Sequence, residues 1–292
     1  MTGLPTAIEQ ALAATVGSPR HAESLSGGDV NRAALVTLDH EPVVVKWKDD
    51  APPGFFADEA DGLTRLRDAS PLRVPQVLAF GDAPAFLALE YLPPQLPRDL
   101  PRFARRFGEG LAALHRDNPA LSGLFGLEKD NFLGSQPQAN TPHSSWPTFY
   151  RDCRLWPQID KARRRGLLPP HRERLLGQML DNLDALLADL PARPVLIHGD
   201  LWSGNFLCTS DDEPVLIDPA AYYGEREIEM AYTELFGGFP SGFLPAYQSA
   251  FPLNAGYPRR RALHQLYPLL VHLNHFGETY GPAVDRACRE YA

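Results

Sequence analysis

The sequence contains little cysteine, and its few cysteines are widely separated. Only three of the 292 residues are cysteine, at Cys153, Cys208 and Cys288, and none belongs to a C-x-x-C pair. An odd number of distant cysteines favours neither a disulfide-bonded scaffold nor a zinc site. We therefore expect a protein of a reducing compartment, the cytoplasm.

Long apolar runs and an excess of positive charge are also missing. No stretch approaches the ~18 consecutive apolar residues that a membrane-spanning helix needs, and residues 1–17 lack the basic start of a secretory signal. The net charge of −8 disfavours non-specific binding to nucleic acid or acidic membranes. The sequence thus predicts no nucleic acid and no membrane as partners.

What is present is an ordinary globular composition arranged in two differently patterned parts. Of the residues, 44% are apolar and 22% charged, as in an ordinary soluble globular protein, and a length of 292 residues could hold about two domains. Short strand-like segments and one helix, Phe55–Leu66, precede Glu90–Pro94, whose two prolines no continuing strand tolerates. Helical spacing of apolar residues follows, as in Pro101–His115. The prediction is an α+β, two-lobed fold: a small antiparallel-sheet nucleotide-binding lobe with one helix (1–92) and a larger, mainly helical catalytic and substrate-binding lobe (93–292).

Two short apolar runs in the second lobe each end in polar residues. The runs are Val195–Ile197 and Val215–Ile217, and the polar segment Thr209–Pro214 lies between them. Such a segment is typical of a turn that folds two strands back on each other. We therefore expect the two runs to pair, and residues 222–226, which follow, to form another turn.

The polar residues after these runs carry the chemistry. Asp200 follows the first run, Asn205 comes five positions later, and Asp218 ends the second run. Carboxylate and amide oxygens suit a hard cation such as Mg2+ rather than zinc. An acid, an Asn five positions on and a second acid at a strand end form the constellation of kinase-type phosphoryl transfer, with Asp200 as the base and Asn205 and Asp218 as metal ligands.

The first lobe supplies residues for a nucleotide. Gly27, Gly28 and Asn31 lie between two predicted strands, in a loop that is either a plain hairpin turn or a cover over phosphates. The run Val43–Lys46 resembles the V-A-I-K strand of kinases, whose lysine contacts the α- and β-phosphates of ATP. These features together favour ATP as the co-substrate.

An acidic helix follows that lysine. Glu59 lies midway along Phe55–Leu66 and is the preferred ion-pair partner of Lys46, with Asp58 and Asp61 as alternatives. Such a pair would direct the lysine toward the phosphates.

The proline-rich junction between the lobes contains Glu90, Tyr91 and Leu92. Its backbone could bind the edge of an adenine ring, or the segment could be a plain linker. We expect the three residues to contribute to the nucleotide site.

Four further residues are candidates for supporting roles. His198 is expected to be a structural hydrogen-bonding residue of the loop, and His115 a core or capping residue. Glu229 is expected to tie its helix to the catalytic loop by accepting backbone N–H bonds. Trp202 could either pack or stack on a sugar face.

At these residues the chain resembles the fructosamine kinase (ketosamine 3-kinase) family, a branch of the aminoglycoside-phosphotransferase-like and protein-kinase-like group. The H-G-D-x-x-x-x-N and I-D pattern alone indicates only the wider group. The narrower resemblance rests on further segments: H-G-D-L-W-S-G-N (198–205), I-D-P-A-x-Y-Y-G-x-R-E (217–227), L-F-G-G-F (235–239), G-G-D-V-N-R (27–32), D-N-F-L-G (130–134) and R-L-W-P-Q (154–158).

This resemblance implies ATP-dependent phosphorylation of the 3-hydroxyl of a ketosamine, a free or protein-bound adduct of a sugar and an amine. The phosphate destabilises the adduct, so the amine is restored. The resemblance also implies roles for matching residues: Asp200 as the base, Asn205 and Asp218 as metal ligands, Lys46 and Glu59 as the ion pair, and Trp202 at the sugar site.

The chain departs from the family pattern at two positions. Some members carry a cysteine in the glycine loop, where this chain has Asp29. We therefore expect no disulfide-linked dimer through this loop, and a monomer. Glu225 replaces a histidine that is frequent in the family, and the sequence alone does not explain this difference.

Other functions compete with this interpretation. A related kinase of small molecules could act on an aminoglycoside, choline or another alcohol. A catalytically inactive nucleotide-binding scaffold would be expected to lose a residue such as Lys46, which this chain keeps. A metal-dependent hydrolase built on His198, Asp200 and Asp218 would leave Lys46 without a role.

Overall fold

The first lobe is built on a five-stranded antiparallel sheet. The computed structural model describes residues 3–25, 31–39, 41–191 and 193–291, and the loop glycines 27 and 28 and Asp29 lie outside these ranges. The spatial order of the strands is β1-β2-β3-β5-β4. Their bounds, with those of the two helices of this lobe, are α1 Thr6–Thr15, β1 His21–Ser24, β2 Arg32–Thr37, β3 Pro42–Trp47, α2 Phe55–Ala69, β4 Val77–Asp82 and β5 Ala85–Glu90.

Alternation along β3 explains how the sheet presents its lysine. Val43 and Val45 are buried in one apolar cluster with Leu12 of α1. Val44 packs with the cluster that contains α2, on the opposite face. Because successive side chains of a strand point to opposite faces, Lys46 lies on the same face as Val44, toward α2.

The second lobe is mainly helical. Residues 91–99 form no regular element, and α3 then begins where the Asp99 side chain accepts a hydrogen bond from the Arg102 N–H (2.9 Å). The helices are α3 Leu100–Asp117, α4 Trp146–Phe149, α5 Trp156–Arg164, α6 Pro170–Asp181, α7 Leu183–Leu186, α8 Arg226–Leu235, α9 Phe243–Ala250, α10 Tyr257–Phe276 and α11 Gly281–Arg289, with a π-helical segment, Tyr150–Leu155, between α4 and α5.

Three short strand pairs complete this lobe. They are β6 Asn131–Leu133 with β7 Gln136–Gln138, β8 Val195–Ile197 with β11 Tyr222–Gly224, and β9 Phe206–Thr209 with β10 Glu213–Leu216. All three pairs are antiparallel.

The predicted pairing of Val195–Ile197 with Val215–Ile217 is wrong. The turn before Glu213 instead closes a hairpin in which Leu216 pairs with Phe206. The first apolar run pairs with Tyr222–Gly224, so the turn predicted at residues 222–226 is wrong as well. The two tyrosines of that segment favour a strand. The glycine that follows them is typical of a turn, and this accounts for the wrong prediction. Asn205 still directly precedes β9, and Asp218 follows β10 closely, so the polar residues meet at one end of this hairpin.

One buried apolar cluster joins the two lobes. It contains Phe56 and Leu63 from α2 together with Phe107 of α3 and Leu216 of β10. Among the described residues, no helix is both long enough and apolar enough to cross a membrane. All three cysteines are buried and lie outside any disulfide bond.

Candidate active site

A tight crossing of two backbone segments shapes the loop after β8. Gly199 has a φ of +82°, and a Cβ atom there would lie 2.1 Å from the carbonyl oxygen of Ala220. Only glycine fits such an approach without displacement of the backbone. The Ala220 N–H in turn donates to the His198 carbonyl oxygen (3.0 Å). The segment after Asp218 is thereby held against the loop that carries Asp200.

His198 links the same two segments through its side chain. Its Nε2 lies 2.8 Å from the Ile217 carbonyl oxygen, and its Nδ1 accepts the Asp200 N–H (3.3 Å). The ring is fully buried, and burial lowers the pKa of His198, so the imidazole stays neutral. This is the structural hydrogen-bonding role that the sequence predicted.

Asp200 receives a donor at each oxygen of its carboxylate. Oδ2 accepts from Asn205 Nδ2 (2.9 Å), and Oδ1 accepts from the Tyr232 hydroxyl (3.0 Å). Burial raises the pKa of the Asp200 carboxyl to about 7, although both hydrogen bonds act to lower it. The group is thus a fixed proton acceptor at the edge of the loop.

Asn205 and Asp218 lie next to this carboxylate. Asn205 Nδ2 also donates to the Asp200 carbonyl oxygen (2.8 Å), which leaves the amide Oδ1 as an acceptor. Asp218 has a φ of +56°, a region that few residues other than glycine adopt. Such conformations cost about 1–3 kcal/mol and cluster at functional sites.

Lys46 connects the two lobes. Its Nζ lies 2.7 Å from Glu59 Oε1 on α2 and 2.6 Å from Asp218 Oδ1 in the second lobe. Burial alone would lower the pKa of Lys46, but the charges of Asp218 and Glu59 outweigh it and raise the pKa. The lysine is therefore a permanent cation at this point.

The alternative partners of Lys46 are occupied elsewhere. Asp58 pairs with Lys129 (2.7 Å), and Asp61 pairs with Arg65 (2.9 Å). The structure therefore brings Glu59, and neither of these two aspartates, to the lysine.

The residues predicted to bind the nucleotide differ in whether their side chains already have partners in the protein. Asn31 has a buried Oδ1 that finds no donor among the described residues. Glu90 is fastened instead, since its carboxylate accepts from the Gln76 N–H (3.0 Å) and pairs with Arg73. Tyr91 and Leu92 are half-buried. Glu90 could thus contribute only its backbone to a nucleotide, and Gly27 and Gly28 lie outside the described residues.

Trp202 lies over the turn that leads to Asn205. A Cβ atom at Gly204 would come 2.3 Å from the indole ring, so the glycine allows the ring to fold onto the backbone. The side chain remains 40% exposed. Trp202 thus both packs on the loop and keeps ring surface available for a ligand.

Helix α8 contacts the loop that carries Asp200. Glu229 Oε1 accepts the Gly199 N–H (2.8 Å), as the sequence predicted. Its Oε2 lies 2.8 Å from His115 Nε2, and His115 Nδ1 lies 2.8 Å from the Tyr247 hydroxyl. His115 is therefore the satisfied core residue that was expected.

Tyr232 was missed by reasoning from the sequence. It belongs to no quoted motif, and its contact with Asp200 joins residues 32 positions apart. The available signal was its spacing from Glu229, because residues three apart on a helix share a face.

Comparison with known protein families identifies the family of this chain. A sequence model described as fructosamine kinase matches residues 4–291. The chain belongs to the fructosamine kinase family. A probable ketoamine kinase of Synechocystis is 37% identical over 279 residues, which cover 94% of this chain and 92% of that protein. A chloroplastic protein-ribulosamine 3-kinase of Arabidopsis thaliana is 34% identical over 264 residues, covering 88% and 78%.

Solved structures of similar fold include another member of the family. A candidate fructosamine-3-kinase from Thermobifida fusca superposes with a TM-score of 0.89 at 36% identity, covering 99% of each chain. A thermostable mutant of the aminoglycoside phosphotransferase APH(4)-Ia, in complex with AMP-PNP and hygromycin B, gives a TM-score of 0.66 at 20% identity, covering 99% of each chain. That likeness concerns the fold alone. This fructosamine kinase therefore has the α+β, protein-kinase-like fold that the sequence predicted.

Proposed function

We propose that this fructosamine kinase transfers the γ-phosphoryl group of ATP to the 3-hydroxyl of a ketosamine, a fructosamine or ribulosamine adduct of an amine. The observation that carries the proposal is the position of the Asp200 carboxylate, held beside Asn205 and Asp218, in a chain that matches the family over residues 4–291. Phosphorylation at this hydroxyl destabilises the adduct, so the reaction leads to deglycation.

In this mechanism Asp200 orients the acceptor hydroxyl and takes its proton. The hydroxyl oxygen forms a bond to the γ-phosphorus, the bond from that phosphorus to the bridging β–γ oxygen breaks, and ADP leaves. Phosphoryl transfer needs chiefly positioning and charge neutralisation. A positioned proton acceptor typically contributes about 10²–10⁴-fold to such a rate.

Lys46 provides the fixed positive charge for the α- and β-phosphates. Its Nζ already lies between two carboxylates, Glu59 and Asp218. Glu59 also holds the lysine from α2, so Lys46 would keep its orientation if Asp218 held Mg2+. Asn31, whose buried Oδ1 has no partner among the described residues, would contribute to the nucleotide site with Gly27, Gly28 and the backbone of Glu90, Tyr91 and Leu92.

The side chains of Asn205 and Asp218 fit Mg2+. Both offer oxygen: the Asn205 amide nitrogen donates to Asp200, no described residue donates to the amide oxygen, and the Asp218 side chain is 40% exposed. Mg2+ prefers such ligands and keeps sites for phosphate oxygens and water. When bound, it would neutralise charge on the β- and γ-phosphates.

The acceptor is assigned to the face of the loop that carries Trp202. Its half-exposed indole suits a sugar ring, which presents C–H groups to an aromatic face.

We further propose that the protein acts in the cytoplasm as a monomer, divided functionally at residue 92 into a nucleotide-binding and a catalytic lobe. A kinase of aminoglycosides, choline or another alcohol remains the rival, and an inactive nucleotide-binding scaffold the rival of another class.

A panel of acceptors tests the proposal. ADP release with Mg2+ and ATP should be fastest with ribulosamine or fructosamine adducts of lysine, and phosphorus NMR of the product should show an ester at O3. Turnover of an aminoglycoside or choline with none of any ketosamine would contradict the acceptor. ATP binding without turnover of any acceptor would instead favour the scaffold.

A further inference from the structure

Two donors fix the rotation of the Asp200 carboxylate, and only one of them belongs to the motif that predicted the site. Asn205 Nδ2 donates to Oδ2 at 2.9 Å, and the Tyr232 hydroxyl donates to Oδ1 at 3.0 Å. A carboxylate oxygen accepts more than one hydrogen bond. The two donors therefore leave lone pairs of Asp200 open to an acceptor hydroxyl while they prevent rotation of the group.

Helix α8 supports this contact from a second point. Glu229 lies three residues before Tyr232, on the same face of the helix. Its side chain accepts the Gly199 N–H at 2.8 Å. The helix thus holds the backbone before Asp200 through a carboxylate and the Asp200 side chain through a hydroxyl. Both contacts cross from one rigid element to the loop.

The tyrosine ring is held independently of its hydroxyl. Tyr232 is 7% exposed, and its ring contacts Phe236 edge to face with the centroids 5.9 Å apart. Burial and the nearby Asp200 raise the pKa of Tyr232 well above its usual value, so the hydroxyl remains a donor. A phenylalanine at this position would keep the packing and remove only the hydrogen bond.

We propose that Tyr232 is a positioning residue of the transfer reaction, whose hydroxyl holds the Asp200 carboxylate in the orientation that receives the proton of the acceptor. The inference rests on the proposed function only in taking Asp200 as the proton acceptor. It does not depend on which alcohol is phosphorylated.

The test compares Tyr232→Phe with Tyr257→Phe. Tyr257 is also buried, and its hydroxyl also donates to a carboxylate on α8, that of Glu234, away from Asp200. Hydrogen bonds to charged groups are among the stronger ones in proteins. We expect Tyr232→Phe to lower kcat tenfold or more, with KM for ATP and for the acceptor changed less than twofold and Tm close to that of the unchanged chain. Tyr257→Phe should keep kcat.

Equal kcat in Tyr232→Phe and the unchanged protein would overturn the proposal, as would a loss found only in KM or shared by Tyr257→Phe. If another alcohol replaces ketosamines as the acceptor, the proposed function fails, and the same kcat comparison is made with that alcohol. The carboxyl ¹³C resonance of Asp200 gives a readout without turnover. It should shift in Tyr232→Phe and stay in place in Tyr257→Phe, and an unshifted resonance in the first variant would overturn the proposal.

Discussion

At the scale of single residues, Asp200 has two separable properties, its charge and its place in a hydrogen-bond network. Replacing it by asparagine keeps the side-chain shape and an acceptor oxygen, but removes the capacity to take a proton. We expect Asp200→Asn to lower kcat by about 10²-fold or more while the Kd for ATP, measured by calorimetry, changes little. Near-normal turnover would contradict the role of Asp200. Asp181→Asn, at an exposed position of α6, is the control.

Glu225, which the sequence left unexplained, caps helix α8. Its buried carboxylate accepts the Glu227 N–H, and burial, with Glu227 close by, raises the pKa of Glu225 to about 8. Ligand atoms of Glu225, Glu227 and His264 lie within 4.8 Å of one another. Arg260, however, already binds both oxygens of Glu227 (2.7 and 2.8 Å). A proton on Glu225 therefore relieves the repulsion from Glu227.

The protonation of Glu225 gives a dependence of stability on pH. A carboxyl with a pKa of about 8 in the folded state and 4.5 as its ordinary value favours folding below pH 4.5, and this contribution is lost as the pH rises toward 8. Glu225→Gln keeps an acceptor for the helix end and removes the ionisation. At pH 8.5 the variant should have a higher Tm than the unchanged protein, by roughly 2–4 °C for each kcal/mol of unfolding free energy that ionised Glu225 costs. The difference should be smaller at pH 5.

The surroundings of Glu225 define the control for this experiment. Arg226 and Arg260 act to lower its pKa, and Glu227 acts to raise it. Burial lowers the pKa of His264 to about 3, so this residue adds no charge in the same range. Glu290→Gln, at an exposed position, should show no gain at high pH. An identical pH profile for Glu225→Gln and the unchanged chain would contradict the assignment.

At the scale of elements, helices α3 and α9 approach each other through a glycine. A Cβ atom at Gly108 would lie 2.4 Å from the carbonyl oxygen of Phe243 and 2.8 Å from the Tyr247 nitrogen. Both atoms belong to the backbone of α9, so neither can turn away as a side chain would. The close contact therefore depends on the absence of a side chain at this position.

Gly108→Ala should therefore destabilise the protein by about 1–3 kcal/mol, because it overpacks this contact. Gly177 on α6 has no heavy atom within 4 Å of an added Cβ and provides the matched control. Gly177→Ala should stabilise by about 0.5–1 kcal/mol, since alanine is the better helix former. Urea unfolding of both variants measures the two signs, and a neutral Gly108→Ala would mean that α9 can shift away.

The elements also show what the sequence could predict. The strand that carries Lys46 and the helix that carries Glu59 follow from local patterns, alternation in one and helical spacing in the other. The pairing of Val195–Ile197 with Tyr222–Gly224 was missed, because pairing partners depend on the whole chain path and not on the runs themselves. Tyr232 was missed for the same reason, as its contact with Asp200 is set by how α8 packs.

At the scale of the whole molecule, the site is assembled from both lobes. Lys46 and Glu59 come from the first lobe and Asp218 from the second. A ligand that binds residues of both lobes in the folded state stabilises the fold by about 2.7 kcal/mol at 100 times its Kd. Addition of ATP with Mg2+ should therefore raise the Tm by several degrees.

The Asp218→Asn variant tests the metal in this effect. The comparison uses the shift on ligand addition, since the substitution itself changes the partner of Lys46. The shift should be clearly smaller in the variant than in the unchanged protein and should vanish in both when EDTA removes the metal. An equal shift in both proteins, lost with EDTA, would show that Asp218 does not hold the metal.

The apolar cluster that joins the lobes has a consequence for how the chain can be divided. Phe56 and Leu63 on one side of residue 92, and Phe107 and Leu216 on the other, share one buried layer. The proposed division at residue 92 into a nucleotide-binding and a catalytic lobe therefore does not separate two independently folding units. Either part, produced as a separate polypeptide, would expose to water its own apolar residues of this cluster. Such a part would tend to aggregate. The intact chain should unfold in a single cooperative transition.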